Sequence, residues 1–422
     1  MSQELTLLQR RVVLGPAYRL FYEHPVHVVR GQDVWLEDAE GRRYLDAYNN
    51  VPVVGHANVK VVAAMTEQAL KVNTHTRYLN ENVVDYAERL LALFPAELNR
   101  VVFTCTGSEA NDLALRIAHD MTGRKGVIVT ANAYHGVTSL LADMSPSLRP
   151  VGDYVEVVPS PLSFVGTPDE INAQFSEAID LAAERLDQRG TPVCALLIDT
   201  VFASDGLYLP SRGVIRAAAE AVRRHGGLFI ADEVQGGFAR VGGNWWAFMQ
   251  DDVVPDIVTL GKPMGNGHPI GAVVVKDALL DEFGKQSRYF NTFGGNTVSA
   301  AVGLAVLSEL KRINATEQAL HVGRLMEAGL KGIAQDYATV GAVRGSGLYW
   351  SVELTPSAQV AEQSATLAAA IVNGLREDGV LIGTCGNRNH ILKIRPPLTF
   401  RPEHVELFIQ ALRRQFTSLD LQ

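Results

Sequence analysis

Residues 100–136 read RVVFTCTGSEANDLALRIAHDMTGRKGVIVTANAYHG, and this stretch decides the fold. The apolar run RVVFT predicts a short strand. Gly107 and Ser108 then lead into a helix on which Leu113, Ile117 and Met121 recur on one face. A second apolar run, GVIVT, begins at Gly126. Strand, helix and strand in this order form a crossover unit whose two strands lie parallel.

The same alternation continues along the chain. VCALLIDTVFA (193–203), GLFIADEV (227–234), DIVTLGK (256–262) and IGAVVVKD (270–277) read as buried strands, with a helix over GVIRAAAEAVRRHG (213–226). Near-continuous apolar strands interleaved with helices predict an α/β fold with a mainly parallel sheet covered on both faces. Upstream, VWLEDAEGRRYLDAY (34–48) has the rhythm of a hairpin, and helices fit 59–72 and 81–94. A long small-residue helix fits FNTFGGNTVSAAVGLAVLSELKRI (290–313). Beyond it, 340–354 and 390–398 read as sheet segments, and 364–380 and 401–416 as helices. We divide the chain into an N-terminal segment (1–60) packing with a small domain, a large domain (61–312) and a C-terminal small α/β domain (313–422).

Composition narrows the function. The 422 residues are 47% hydrophobic and 20% charged, with a net charge of −8. That balance opposes a protein built to neutralise nucleic-acid phosphates. No apolar run of spanning length occurs, so no membrane association is expected. The start MSQELTLLQRR lacks a signal-peptide pattern. Cys105, Cys194 and Cys385 are far apart and fit neither a disulfide framework nor a zinc site. A cytoplasmic protein without a structural metal is expected.

Four polar features sit where these strands end, which is where open α/β sheets bind ligands. Ser108 is a reasonable N-cap, and the amides at such a helix start also suit phosphate. Asp232 and Glu233 close a buried strand, where a carboxylate needs a partner. That partner is a magnesium ion, a salt-bridged cation or a protonated ring nitrogen. Magnesium in a nucleotidase needs a GxxxxGK[ST] loop, and the chain has none. NAYHG (132–136) sets an aromatic and a histidine after another strand. GNGHPIG lacks dinucleotide-binding spacing, and Cys385 with a nearby histidine makes no convincing nucleophile pair. Finally Lys262, in TLGKPMGNGHP (259–269), stands among Gly261, Pro263, Gly265 and Gly267. A lysine under such backbone control suits a Schiff base with a carbonyl cofactor. Phosphate site, aromatic, carboxylate and lysine together match pyridoxal phosphate.

The motifs GSEANDLAL, AYHG, ADEVQGGFAR, LGK and NTFGGN resemble those of the class III (subgroup II) aminotransferases, fold-type I enzymes that use pyridoxal 5'-phosphate. The resemblance runs from GRRYLD (41–46) to ILKIRPPL (391–398). It implies that Lys262 is the Schiff-base lysine and proton shuttle and that Asp232 pairs with the pyridinium nitrogen. Gln235 would approach the ring hydroxyl and Tyr134 would stack on the ring. Gly107 and Ser108 would hold the cofactor phosphate. Thr292 would reach it from the neighbouring subunit of a homodimer with shared sites, dimer or tetramer being left open. Thr106 stands where a serine is common.

Three departures bear on the reaction. Many of these transaminases grip an α-carboxylate with the arginine of LRxxPP, and here that residue is Lys393, with Arg395 two positions later. Lysine lacks the planar fork of a guanidinium. A glutamate–proline pair common in the family is replaced by IDTVFASDG, with the shorter Asp199. NNVPVVGH, THTRYLNENVVDYAERL and GKPMGNGHP together resemble the ethanolamine-phosphate phospho-lyase branch. On that resemblance Arg77 is the candidate for a substrate phosphate, with Tyr18 and Asn50 beside it. The expected substrate is a small phosphorylated amine. The alternative is transamination of an ω- or α-amino acid, as in alanine–glyoxylate aminotransferases.

Overall fold

The computed structural model of the chain describes residues 3–209, 212–355 and 361–419. Residues 1–2 of the proposed 1–60 unit, 210–211 of the 61–312 unit, and 356–360 and 420–422 of the 313–422 unit therefore lie outside the described part. At its centre is a seven-stranded sheet. In spatial order its strands are Arg100–Thr104, Gly271–Val275, Ile257–Leu260, Leu228–Asp232, Val193–Asp199, Gly126–Thr130 and Val155–Val158. All pairings are parallel except the two made by Gly271–Val275, which runs against both neighbours. Chain length explains the exception. Leu260 and Gly271 are joined by residues 261–270, fewer than the dozen or so that a parallel return needs.

Side chains alternate across this sheet. Val127, Val129, Ala195, Leu197, Ile230 and Ile257 pack with Leu113 and Ile117 of the helix Gly107–Thr122. Ile128, Leu196, Ile198, Phe229 and Val258 face the opposite layer, built from helices Pro168–Gln188, Val214–Arg224 and Thr297–Arg312. Each such valine, leucine, isoleucine or phenylalanine, once buried, stabilises the fold by about 1.5–3 kcal/mol.

Two smaller sheets flank the large one. Strands Val28–Gln32, Trp35–Asp38 and Arg43–Asp46 are joined by Val380–Leu381, so N- and C-terminal segments share one sheet. The hairpin expected at 34–48 is its middle. The other sheet orders Val340–Ser346, Tyr349–Leu354, Ile391–Ile394 and Gly383–Cys385. Helices Ala315–Asp336, Ala361–Glu377 and Pro402–Ser418 cover this part. No helix among the described residues is long and apolar enough to cross a membrane. The three cysteines are free.

Candidate active site

Because six of the seven strands run the same way, their carboxyl ends lie along one edge of the sheet. Asp232 ends the central strand and is 5% exposed. Its Oδ2 accepts from His135 Nδ1 at 2.7 Å and from Asn111 Nδ2 at 2.9 Å, and its Oδ1 from the Val234 amide at 3.1 Å. Asn111 is oriented in turn by Thr259, whose hydroxyl donates to Asn111 Oδ1 at 2.6 Å. The carboxylate is thus gripped by one helix and two loops. Among the described residues Asp232 bonds to an amide side chain, a backbone amide and a histidine, and no group of acidic, histidine or cysteine side chains there could hold a metal ion.

Lys262 opens a short turn, Lys262–Gly265, directly after the strand Ile257–Leu260. Gly261 allows this turn to pack on the helix start, since a Cβ there would lie 3.2 Å from the Gly107 backbone. Asn266, in the left-handed region, pins the far side of the turn. Its Oδ1 accepts from the Val54 amide at 2.9 Å and its Nδ2 donates to Gly55 O at 2.8 Å. Burial pushes the Lys262 pKa down. Arg395 pushes it the same way, while Asp232 and Asp199 oppose this. A lowered value leaves more neutral amine, the form that attacks a carbonyl or takes a proton.

The helix start differs from expectation in one detail. Thr106, not Ser108, is the N-cap, its hydroxyl accepting from the Glu109 amide at 3.1 Å. The helix begins at Gly107, two residues too early for Ser108 to cap it. Ser108 instead lies in the first turn, its Oγ accepting from the Val137 amide at 3.3 Å. Gly107 and Ser108 therefore line the cleft with Tyr134, His135, Gly136 and Lys262. Burial and the charge of Asp232 raise the Tyr134 pKa, so the phenol stays protonated.

Gln235 follows on the same edge. Its Oε1 accepts from Tyr349 Oη and from Arg395 Nη1, both at 3.1 Å, leaving Nε2 as the donor for a ligand oxygen. Asp199 ends the neighbouring strand and also lines the cleft. Burial, with Asp232 nearby, pushes its pKa up to about 6. Its oxygens accept from the Val201 and Ala203 amides. Lys393 is 6% exposed and donates to Ala203 O at 2.8 Å. Burial and the charge of Arg395 bring its pKa down to about 8.

Of the three residues assigned to a substrate phosphate, the single chain brings only Asn50 to this place. Asn50 is buried, and its Nδ2 donates to Gln235 O at 3.1 Å while its Oδ1 has no partner. Tyr18 is exposed. Arg77 is also exposed and lies over the Phe290 ring at 3.8 Å from its centroid. Thr292 is exposed beside that ring. His135, Asn111 and Thr259 had no role in the sequence reading, although Asn111 and His135 fall inside two of the quoted motifs. An amide side chain four residues past the helix start at Gly107, one turn along, was the available signal.

The donor set fits pyridoxal phosphate on structural grounds. A Cβ at Gly136 would meet Ser108 Oγ at 2.6 Å, and one at Gly107 would meet Val234 at 2.9 Å, so the cradle exists only with glycines. Amides there could take a phosphate, Asp232 could face a ring nitrogen, Gln235 a ring oxygen and Lys262 a carbonyl. Fold and site define a pyridoxal-phosphate enzyme. The family model described as "Aminotransferase class-III" matches residues 20–416, and the chain belongs to that family. It is 36% identical to an "Alanine--glyoxylate aminotransferase 2-like" protein of Drosophila melanogaster, covering 99% of this chain and 88% of the relative. It is 34% identical to "Ethanolamine-phosphate phospho-lyase homolog 1" of Caenorhabditis elegans, covering 99% and 94%. Among solved structures, a phospholyase from Arthrobacter in complex with phosphoethanolamine superposes with a TM-score of 0.94 at 44% identity, covering 98% of this chain and 99% of that one.

Proposed function

We propose that the protein eliminates phosphate from O-phosphoethanolamine, giving acetaldehyde, ammonia and phosphate. The observation that carries this reading is the fate of Lys393. At the position where an arginine would grip an α-carboxylate, this chain has a buried ammonium spent on the carbonyl of Ala203. An amine without an α-carboxylate suits that arrangement. The likeness to the phosphoethanolamine-bound phospholyase supports it.

Bound pyridoxal phosphate supplies an electron sink for a carbanion at the substrate Cα. Asp232 holds the proton on the ring nitrogen that keeps the sink effective. Lys262, whose ammonium form burial disfavours, would take the proton from Cα. The Cα–Cβ double bond forms as the Cβ–O bond breaks, and phosphate leaves with that electron pair. The released enamine takes up water and yields acetaldehyde and ammonia. Gln235 and Tyr134 orient the ring, and Gly107 and Ser108 anchor its phosphate.

The proposal includes a homodimer. Residues 74–79 and 290–297 form one patch, joined by the bond from the Thr297 amide to Thr74 O and by the contact of Arg77 with Phe290. Tyr78, Leu79 and Phe293 are exposed on it. Arg77 and Thr292 ride on this patch, and in the proposed dimer they would serve a partner's cleft rather than their own. A cytoplasmic setting remains part of the proposal, supported by the three free thiols. The test incubates the holoenzyme with O-phosphoethanolamine and follows phosphate and acetaldehyde. Release at least about 10³-fold above a Lys262→Ala control is expected. Absence of product, with the cofactor instead converted by an amino acid and restored by a keto acid, establishes the aminotransferase alternative.

A further inference from the structure

Arg395 is a guanidinium held firmly at the cleft with no acid to pair with. It directly follows the strand Ile391–Ile394, and its amide donates to Ala47 O at 2.7 Å. Pro396 follows, its carbonyl held by the buried Arg240, which also donates to Leu348 O. The Arg395 side chain lies 5.1 Å from the Tyr48 ring centroid and donates through Nη1 to Gln235. Nε is buried and has no partner. The acids around it are committed elsewhere. Asp46 accepts from Tyr48, Asn49 and His56, Asp199 from two backbone amides, and Asp232 from His135 and Asn111. Among the described residues Arg395 forms no ion pair. A half-buried cation with spare donors is costly unless an anion completes it.

We propose that Arg395 is the specificity-determining cation by which the chain that supplies Lys262 also reads the anionic group of its substrate. The group it takes is a tetrahedral phosphate carried one carbon beyond the amine-bearing carbon. This rests on the phospho-lyase reading. Two geometric facts favour Arg395 over Lys393. The Lys393 ammonium is turned to a backbone carbonyl, whereas Arg395 keeps Nε unpaired beside a cleft-lining glutamine. The guanidinium also presents paired donors that match adjacent phosphate oxygens, which an ammonium does not. The exposed Arg77 lies on a different surface, so the two arginines make separable contributions.

The test is equilibrium binding of 2-aminoethylphosphonate, whose carbon–phosphorus bond replaces the cleavable ester. The holoenzyme is titrated with it and with ethanolamine, reading the cofactor absorbance. Wild type is expected to bind the phosphonate about 10- to 100-fold more tightly than ethanolamine. Arg395→Gln should shrink that preference to about threefold or less, the ratio to ethanolamine cancelling any effect that reaches both ligands through Gln235 or Lys262. Arg395→Lys should keep part of it, and decides the matter alone if the glutamine variant does not fold. A preference left intact by both substitutions, or absent from wild type, overturns the inference. A wild type that prefers the phosphonate but releases no phosphate from O-phosphoethanolamine overturns the elimination reading instead and leaves Arg395 as the anion reader.

Discussion

Glu233 follows Asp232 in the chain and points the other way. Strand geometry sends one acid to the cleft and the next into the protein. Glu233 is fully buried, accepting from Thr200 Oγ1 at 2.7 Å and from the Ala247 and Phe248 amides at 2.9 and 2.8 Å. Burial nevertheless pushes its pKa up to about 7. The sign of the consequence follows from linkage. The folded state keeps a proton that the unfolded chain has already lost, so this residue's contribution falls as pH rises from about 4.5 to about 7. The stability difference between wild type and Glu233→Gln, from urea midpoints, should decline by on the order of 3 kcal/mol across that window and then level off. A difference independent of pH would show that Glu233 is already ionised at the bottom of the window. The pair also marks what is legible at single positions. Alternation says that only one of the two acids meets the ligand, while the resemblance, not the residues, said which.

At the level of strands, turns and helices, most of the large sheet is readable because its strands are short, apolar and punctuated. Two long helices, Pro168–Gln188 and Ala315–Asp336, are not among the expected elements, and neither is the shorter Asp277–Gln286. The first carries a local start signal, Thr167 and Glu170 in a reciprocal capping box with Pro168 at the first turn. The second starts at Asn314 without a side-chain cap, and its apolar face is defined by the strand Val340–Ser346 and the helix Pro402–Ser418 that pack on it. The turn after Gly126–Thr130 is the most sensitive connection. Gly136 sits at φ 143°, and a Cβ there would collide with Ser108 Oγ and Leu141 Cδ1, both at 2.6 Å. Gly136→Ala should cost about 1–3 kcal/mol of stability and weaken cofactor retention, measured by dialysis of the holoenzyme. Retention equal to wild type would mean that the Ser108 side is not the phosphate cradle.

For the whole molecule the question is which cleft the 74–79 and 290–297 patch serves. If Arg77 completes a second copy's site, mixed dimers of Lys262→Ala and Arg77→Gln chains contain one fully wild-type site each. Co-refolding the two inactive variants should then restore about a quarter of wild-type activity. No recovery in a preparation shown to contain mixed dimers would return Arg77 to its own chain's cleft. Sequence alone was sufficient for the alternation of strands and helices, and for a lysine and an acid at strand ends, because these depend on local periodicity and position. It also carried the family, through five short motifs. The tertiary structure alone decided which groups answer one another across hundreds of residues. It set Asp232 between His135 and Asn111, turned Lys393 to Ala203, and left Arg395 beside Gln235 with a donor to spare. Those partnerships depend on where buried backbone carbonyls and amides fall, and no periodicity in the chain encodes that.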